Sequence, residues 1–134
     1  MRVVVDTNVW ISRLLLADSV PARAVDKALD EFEVVVSEAS VEELARVLSR
    51  EKFDRYVSVR DREEFLRRLL QVTTMVSVLS DISDCRDPKD NRFLALALDS
   101  ESDCIVSGDA DLLALNPWRE IEIVSPGAFL AARA

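Results

Sequence analysis

Three consecutive valines, Val3, Val4 and Val5, end at Asp6, and this junction narrows the choice of folds more than any other stretch. A run that is wholly apolar and β-branched, with no alternation, suits a strand buried on both faces, as in the middle of a parallel sheet. In an open parallel sheet ligands sit beyond the carboxyl ends of the strands, so Asp6 lies where chemistry is usually done. A carboxylate there is costly unless something positive pairs with it. After Arg2 no basic residue lies close to it in sequence, and a metal ion would answer the need. Asp6 equally suits the cap of the next helix. This stretch alone does not choose between the two.

Strand and helix patterns alternate along the rest of the chain. Residues 9–17 have helix composition, with Trp10, Ile11, Leu14 and Leu15 apolar. Residues 20–29 repeat Ala24, Val25, Ala28 and Leu29 at helical spacing, and Pro21 suits the first turn. A second apolar strand spans 32–36. Ser37 caps a helix reaching Leu48 with Val41, Leu44, Ala45 and Leu48 as its inner stripe. Residues 52–56 read as a short helical turn. Ser58 opens the next helix, with Asp61 as an acidic capping-box variant and Phe65, Leu66, Leu69 and Leu70 as the apolar face. A third strand falls within 72–79, starting near Met75. A helix runs from Asp87-Pro88 to about Ser100, and a fourth strand covers 104–107. A short helix over 109–115, a fifth strand over 121–124 and a last helix capped by Ser125-Pro126 complete the pattern. Alternation of this kind implies βαβ units: a three-layer α/β/α sandwich around a parallel sheet of about five strands. With 134 residues, a single domain over 1–134 is expected.

Composition excludes several chemistries. The chain has no histidine, which removes Ser-His triads, histidine bases and most zinc sites. Its two glycines, Gly108 and Gly127, cannot build a Gly-rich phosphate loop. Cys85 and Cys104 suggest neither a disulfide framework nor a metal pair, so a reduced, cytoplasmic setting is expected. No apolar run is long enough for a membrane span and no signal peptide is apparent. Carboxylates abound, and the net charge is −8. Such a charge argues against a nucleic-acid partner unless acids cluster around divalent cations, which change the local sign. The densest charge cluster, 60–64 with Arg67 and Arg68, reads most simply as a solvated helix face, with phosphate contact by its arginines as the alternative.

Four acids occupy comparable places. Asp6 closes the first strand, Glu43 lies in the helix after the second, Asp90 starts the helix before the fourth, and Asp109 follows the fourth in Ser107-Gly108-Asp109. If strands one and four are neighbours, Asp6 and Asp109 meet at one edge, and the helix carrying Asp90 points its N-terminus there. Mg²⁺ is commonly held by a few carboxylates plus waters and substrate phosphates. Each acid also has a local role open to it: Asp87 and Asp90 suit a helix start, Asp109 suits a cap, and Glu43 suits a helix surface. Helical phase places Glu42 and Glu43 outside the apolar stripe and does not choose between them. Asn8 and Asn91 suit either amides supporting the carboxylates or plain turn and helix-start residues.

The segments VVVDTNVWIS, VVVSEASVEELARVL, DPKDNRFLALAL and DCIVSGDADLL resemble a PIN domain of the toxin–antitoxin group, over essentially the whole length. The resemblance implies a fold similar to the 5′-nucleases and a carboxylate pocket binding Mg²⁺ or Mn²⁺. It implies cleavage of single-stranded RNA, a cognate antitoxin protein and a homo-oligomer. Matched motif by motif, it singles out Asp6, Glu43 rather than Glu42, Asp90 and Asp109, with Asp87 and Asp111 behind them. Asp6, Asp90 and Asp109 are then the expected metal ligands, and Glu43 binds through water or orients the attacking water. Thr7, Asn8 and Ser107 are expected to hydrogen-bond the carboxylates. The apolar first helix, with Trp10, Ile11, Leu14, Leu15 and Leu16, suits packing against a second subunit or an antitoxin helix, or simply the core. Two other classes stay open: a phosphoryl-transfer enzyme with Asp at a strand end, and a non-catalytic module on the same fold. For the first, the second Asp that a haloacid dehalogenase places two residues on is here Asn8.

Overall fold

Strand β1 (Arg2–Val5) lies at the centre of a five-stranded, wholly parallel sheet in the computed structural model, which describes residues 1–132. On one side it pairs with β2 (Glu33–Val36), which pairs with β3 (Thr74–Met75). On the other it pairs with β4 (Cys104–Val106), which pairs with β5 (Glu122–Val124). The helices are α1 (Thr7–Leu15), α2 (Val20–Glu31), α3 (Glu38–Leu48), α4 (Val59–Val72), α5 (Asn91–Asp99), α6 (Ala110–Leu113) and α7 (Pro126–Ala132). Short 3₁₀ turns cover Glu51–Phe53 and Pro88–Asp90.

Successive strand residues point to opposite faces, and the two cores follow that rule. Val3, Val5, Val34, Val36 and Val106 pack with side chains of α1, α2, α3, α4 and α7. Val4, Val35, Ile105 and Ile123 pack with α5 and α6. Both faces of the sheet are therefore covered, as the unalternating valine runs require. From β1 the chain builds outward through β2 to β3, then returns to lay β4 against the other side of β1. The crevice beyond β1 and β4 is thus the topological switch point, where open α/β sheets bind their ligands.

The structure narrows some expectations and corrects others. The third strand is only two residues long, because the chain leaves the sheet after the Val76 amide bonds the Val36 carbonyl. The helix expected from Asp87 begins as the 3₁₀ turn and becomes α only at Asn91. Trp10 and Ile11 are core residues; Leu14 and Leu15 are half-buried, and Leu16 is exposed. On α4, Leu69 is buried but Leu70 is exposed.

Arg62 departs most from the solvated-face reading, at 3% exposure. Its guanidinium donates to the carbonyls of Leu48 (2.8 Å) and Arg50 (3.2 Å) and to Asp54 Oδ1 (2.6 Å). The end of α3 leaves carbonyls without intrahelical partners, and the fork of an arginine can satisfy several at once. Arg62→Leu is expected to lower unfolding free energy by about 2–3 kcal/mol, the usual scale for charged hydrogen bonds. Urea melts measure it; a loss under about 0.5 kcal/mol would show that this clamp is not structural.

Candidate active site

Two carboxylates at the switch point do double duty. Asp6 ends β1 and caps α1, its Oδ1 accepting from the Val9 amide at 3.1 Å. Its Oδ2 accepts a short hydrogen bond from Ser107 Oγ, and its own amide donates to the Val106 carbonyl of β4. Asp109 caps α6, its Oδ1 accepting from the amides of Asp111 (2.8 Å) and Leu112 (3.2 Å). The Asp109 amide donates to Ser107 Oγ at 2.9 Å, so one serine hydroxyl ties the two acids together across neighbouring strands. Capping and a place in the pocket are therefore not alternatives for either acid.

Glu43 corrects the phase assigned to α3. The buried stripe is Ser40, Glu43, Leu44, Val47 and Leu48 rather than Val41, Leu44, Ala45 and Leu48. Glu43 is buried, and Thr7 Oγ1 donates to its Oε2 at 2.7 Å. Glu42 is exposed. Arg46 approaches Glu43 Oε1 at 3.9 Å from the solvent side. A buried carboxylate needs a hydrogen-bond partner, and the Thr7 hydroxyl supplies one.

Asp90 closes the 3₁₀ turn and is buried, with no side-chain capping bond to α5. Cys85 Sγ lies 3.9 Å from its Oδ2. Asp87 is the residue that caps the turn, accepting from the Lys89 amide at 3.1 Å. Asp6, Thr7, Asn8, Glu43, Asp87, Asp90 and Asp109 all line one pocket of about 160 Å³, together with Arg50 and Lys89. Asp87, Asp90 and Asp111 each present a carboxylate oxygen within 4.8 Å of the others. Asp90 thus belongs both to the expected trio and to this tighter grouping with the two acids ranked behind. Asn91 turns elsewhere: its Oδ1 accepts from the Cys85 amide at 2.8 Å and fixes that loop. The two pocket cations were not singled out from sequence. Arg50 lies just past the end of α3, in extended conformation before the Glu51–Phe53 turn, and no helical periodicity in the sequence points to it.

The crowding is visible in proton affinity. Burial raises Asp6 above the ordinary carboxylate range, and Asp109 adds to this, while the Ser107 hydroxyl and Val9 amide oppose it. Burial, then the charge and hydrogen bond of Asp109, then Asp87 and Asp6, push Asp90 up to about 7. Burial raises the Cys85 thiol, and the charges of Asp90, Asp109 and Asp111 add to this, against a hydrogen bond with the Asp87 backbone. An acid raised in the native state keeps a proton that the unfolded chain has lost, so its contribution to stability falls as pH rises between the two values. In EDTA the stability of Asp90→Asn relative to the parent is therefore expected to improve steadily from pH 4 to about pH 7 and then level off. Thermal melts across that range check it; a constant difference would contradict the crowding.

Comparison with known proteins identifies the family and the fold. The profile of the PIN domain matches residues 2–111, which include Asp6, Glu43, Asp90 and Asp109. An uncharacterized protein of Methanocaldococcus jannaschii is 29% identical over 117 residues, covering 86% of this chain and 75% of its own. The crystal structure of VapBC2 from Rickettsia felis, bound to a DNA fragment from their promoter, superposes with a TM-score of 0.66 at 10% identity. It covers 93% of this chain and 98% of that one. PAE2754 from Pyrobaculum aerophilum superposes with a TM-score of 0.64 at 13% identity, covering 98% and 88%.

Proposed function

The chain belongs to the PIN domain family, and from that premise we propose that it is a divalent-metal-dependent endoribonuclease cutting single-stranded RNA, the toxin of a toxin–antitoxin pair. One observation carries the reading: acids from separate parts of the chain line a single pocket at the switch point of the sheet. The donor set fits a hard cation. It is all oxygen, with no imidazole in the chain, and the mutual repulsion that raises Asp90 is what a divalent ion relieves.

In this reading Asp6, Asp90 and Asp109 would hold Mg²⁺ or Mn²⁺, with Asp87 and Asp111 alongside Asp90. A bound divalent ion makes water a usable nucleophile near neutral pH and offsets charge on the phosphate. Glu43, fixed by Thr7, orients the attacking water. Ser107 sets the orientation of the Asp6 carboxylate and, through the amide of Asp109, the start of α6. The water oxygen bonds to phosphorus and releases a proton to solvent, the bond to one ester oxygen breaks, and that oxygen leaves with a proton from solvent. The pocket needs no histidine for this.

The likeness to VapBC2 supports an antitoxin partner. Self-association is proposed through the outer side of α1, where Leu15 is half-buried and Leu16 is 63% exposed. Among the described residues no helix is long and apolar enough to cross a membrane. The test is cleavage of a single-stranded RNA in Mg²⁺ or Mn²⁺. Activity that stops in EDTA and in Asp6→Asn supports the reading; full cleavage surviving both would sink it.

A further inference from the structure

We infer that the loop joining α3 to α4, residues 49–58, is the track along which single-stranded RNA reaches the carboxylate pocket; this rests on the nuclease reading above. The chain as a whole carries net charge −8, so a polyanion needs a local exception. The loop and its flank supply one. Arg50, Lys52, Arg55 and Arg60 are all exposed, and none has a carboxylate within ion-pair distance among the described residues. Of the acids in the same stretch, Asp54 is occupied by Arg62, leaving Glu51 and Asp61.

The positive stretch is continuous with the site, because Arg50 is both the start of the loop and part of the pocket wall. From there residues 51–56 line an open concavity of about 600 Å³. Tyr56 stands on it, 70% exposed, the single tyrosine of the chain. An exposed ring among cations without carboxylate partners is the arrangement that binds single strands: the cations follow phosphates, and bases stack on the ring without sequence preference. The loop is also rigid enough to present them. Phe53 is buried, its carbonyl accepts from the Tyr56 and Val57 amides at 3.0 Å, and Arg62 clamps the carbonyl of Arg50.

The test reads binding apart from cleavage. A fluorescein-labelled oligouridylate is titrated in EDTA at low salt with the parent, Tyr56→Ala, Tyr56→Phe and Arg55→Gln. Tyr56→Ala is expected to bind about tenfold more weakly and Tyr56→Phe like the parent. Arg55→Gln is expected to reduce the slope of log affinity against log salt by about 0.7. In Mn²⁺, Tyr56→Ala should raise KM for RNA and leave kcat unchanged. A parent that does not bind the oligonucleotide, or variants with the parent's affinity and salt slope, would overturn the track. RNA held on this loop but never cut in either metal would instead remove the nuclease reading and leave the track standing.

Discussion

Asp90→Asn is expected to reduce RNA cleavage by more than about a hundredfold, since even groups that only support metal ligands are worth ten- to a hundredfold. The same change should leave the metal-free protein as stable as the parent or more stable. The reason is the position of Asp90: buried, unused as a helix cap, and faced by Asp109, Asp87 and Asp6. Near neutral pH its charge is a liability to the fold, and an amide of the same shape removes it. A purely structural acid at a helix start predicts the reverse, a loss of about 0.5–1 kcal/mol with or without metal. Activity assays and melts on one preparation separate the two. Asp6→Asn is a useful companion, because asparagine caps helices as well as aspartate does and should keep the bond to the Val9 amide.

Mn²⁺ or Mg²⁺ should raise the melting temperature of the parent markedly. Binding to the native state alone contributes about 2.7 kcal/mol at a free metal concentration 100 times the dissociation constant. For a domain of this size that corresponds to roughly 8–12 °C. Asp90→Asn should gain less than half as much, since the ion loses a charged ligand and less repulsion is relieved. A metal response in the variant equal to the parent's would move the cation away from this pocket.

How far the sequence could be read depended on whether the deciding contacts were local. The valine runs revealed β1 and β2 because full burial on both faces leaves no alternation to misread. Ser37 and Ser58 marked helix starts because a cap bonds amides two or three residues on. Asp6 and Asp109 were legible as strand-end acids, and the pairing of β1 with β4 brings them together. Glu43 was not legible from phase. Its burial depends on Thr7, which lies 36 residues away in sequence, and a hydropathy pattern counts any glutamate as outward-facing. The burial of Arg62 is hidden from the sequence for the same reason, since what holds it is the set of open carbonyls at and beyond the end of another helix. Asp87 and Asp90 flank one 3₁₀ turn, whereas Asp111 reaches them from α6, a contact across the fold that no local pattern shows.

The most direct test uses paramagnetic Mn²⁺ as its own reporter. In the amide spectrum of ¹⁵N-labelled protein, substoichiometric Mn²⁺ should first erase the resonances of Asp6–Asn8, Lys89–Asn91 and Ser107–Asp111, leaving those of α2 and α7 intact. Asp90→Asn should need much more metal for the same effect. Broadening centred elsewhere, or none at concentrations that support RNA cleavage, would contradict a metal-dependent carboxylate site at the switch point of this sheet.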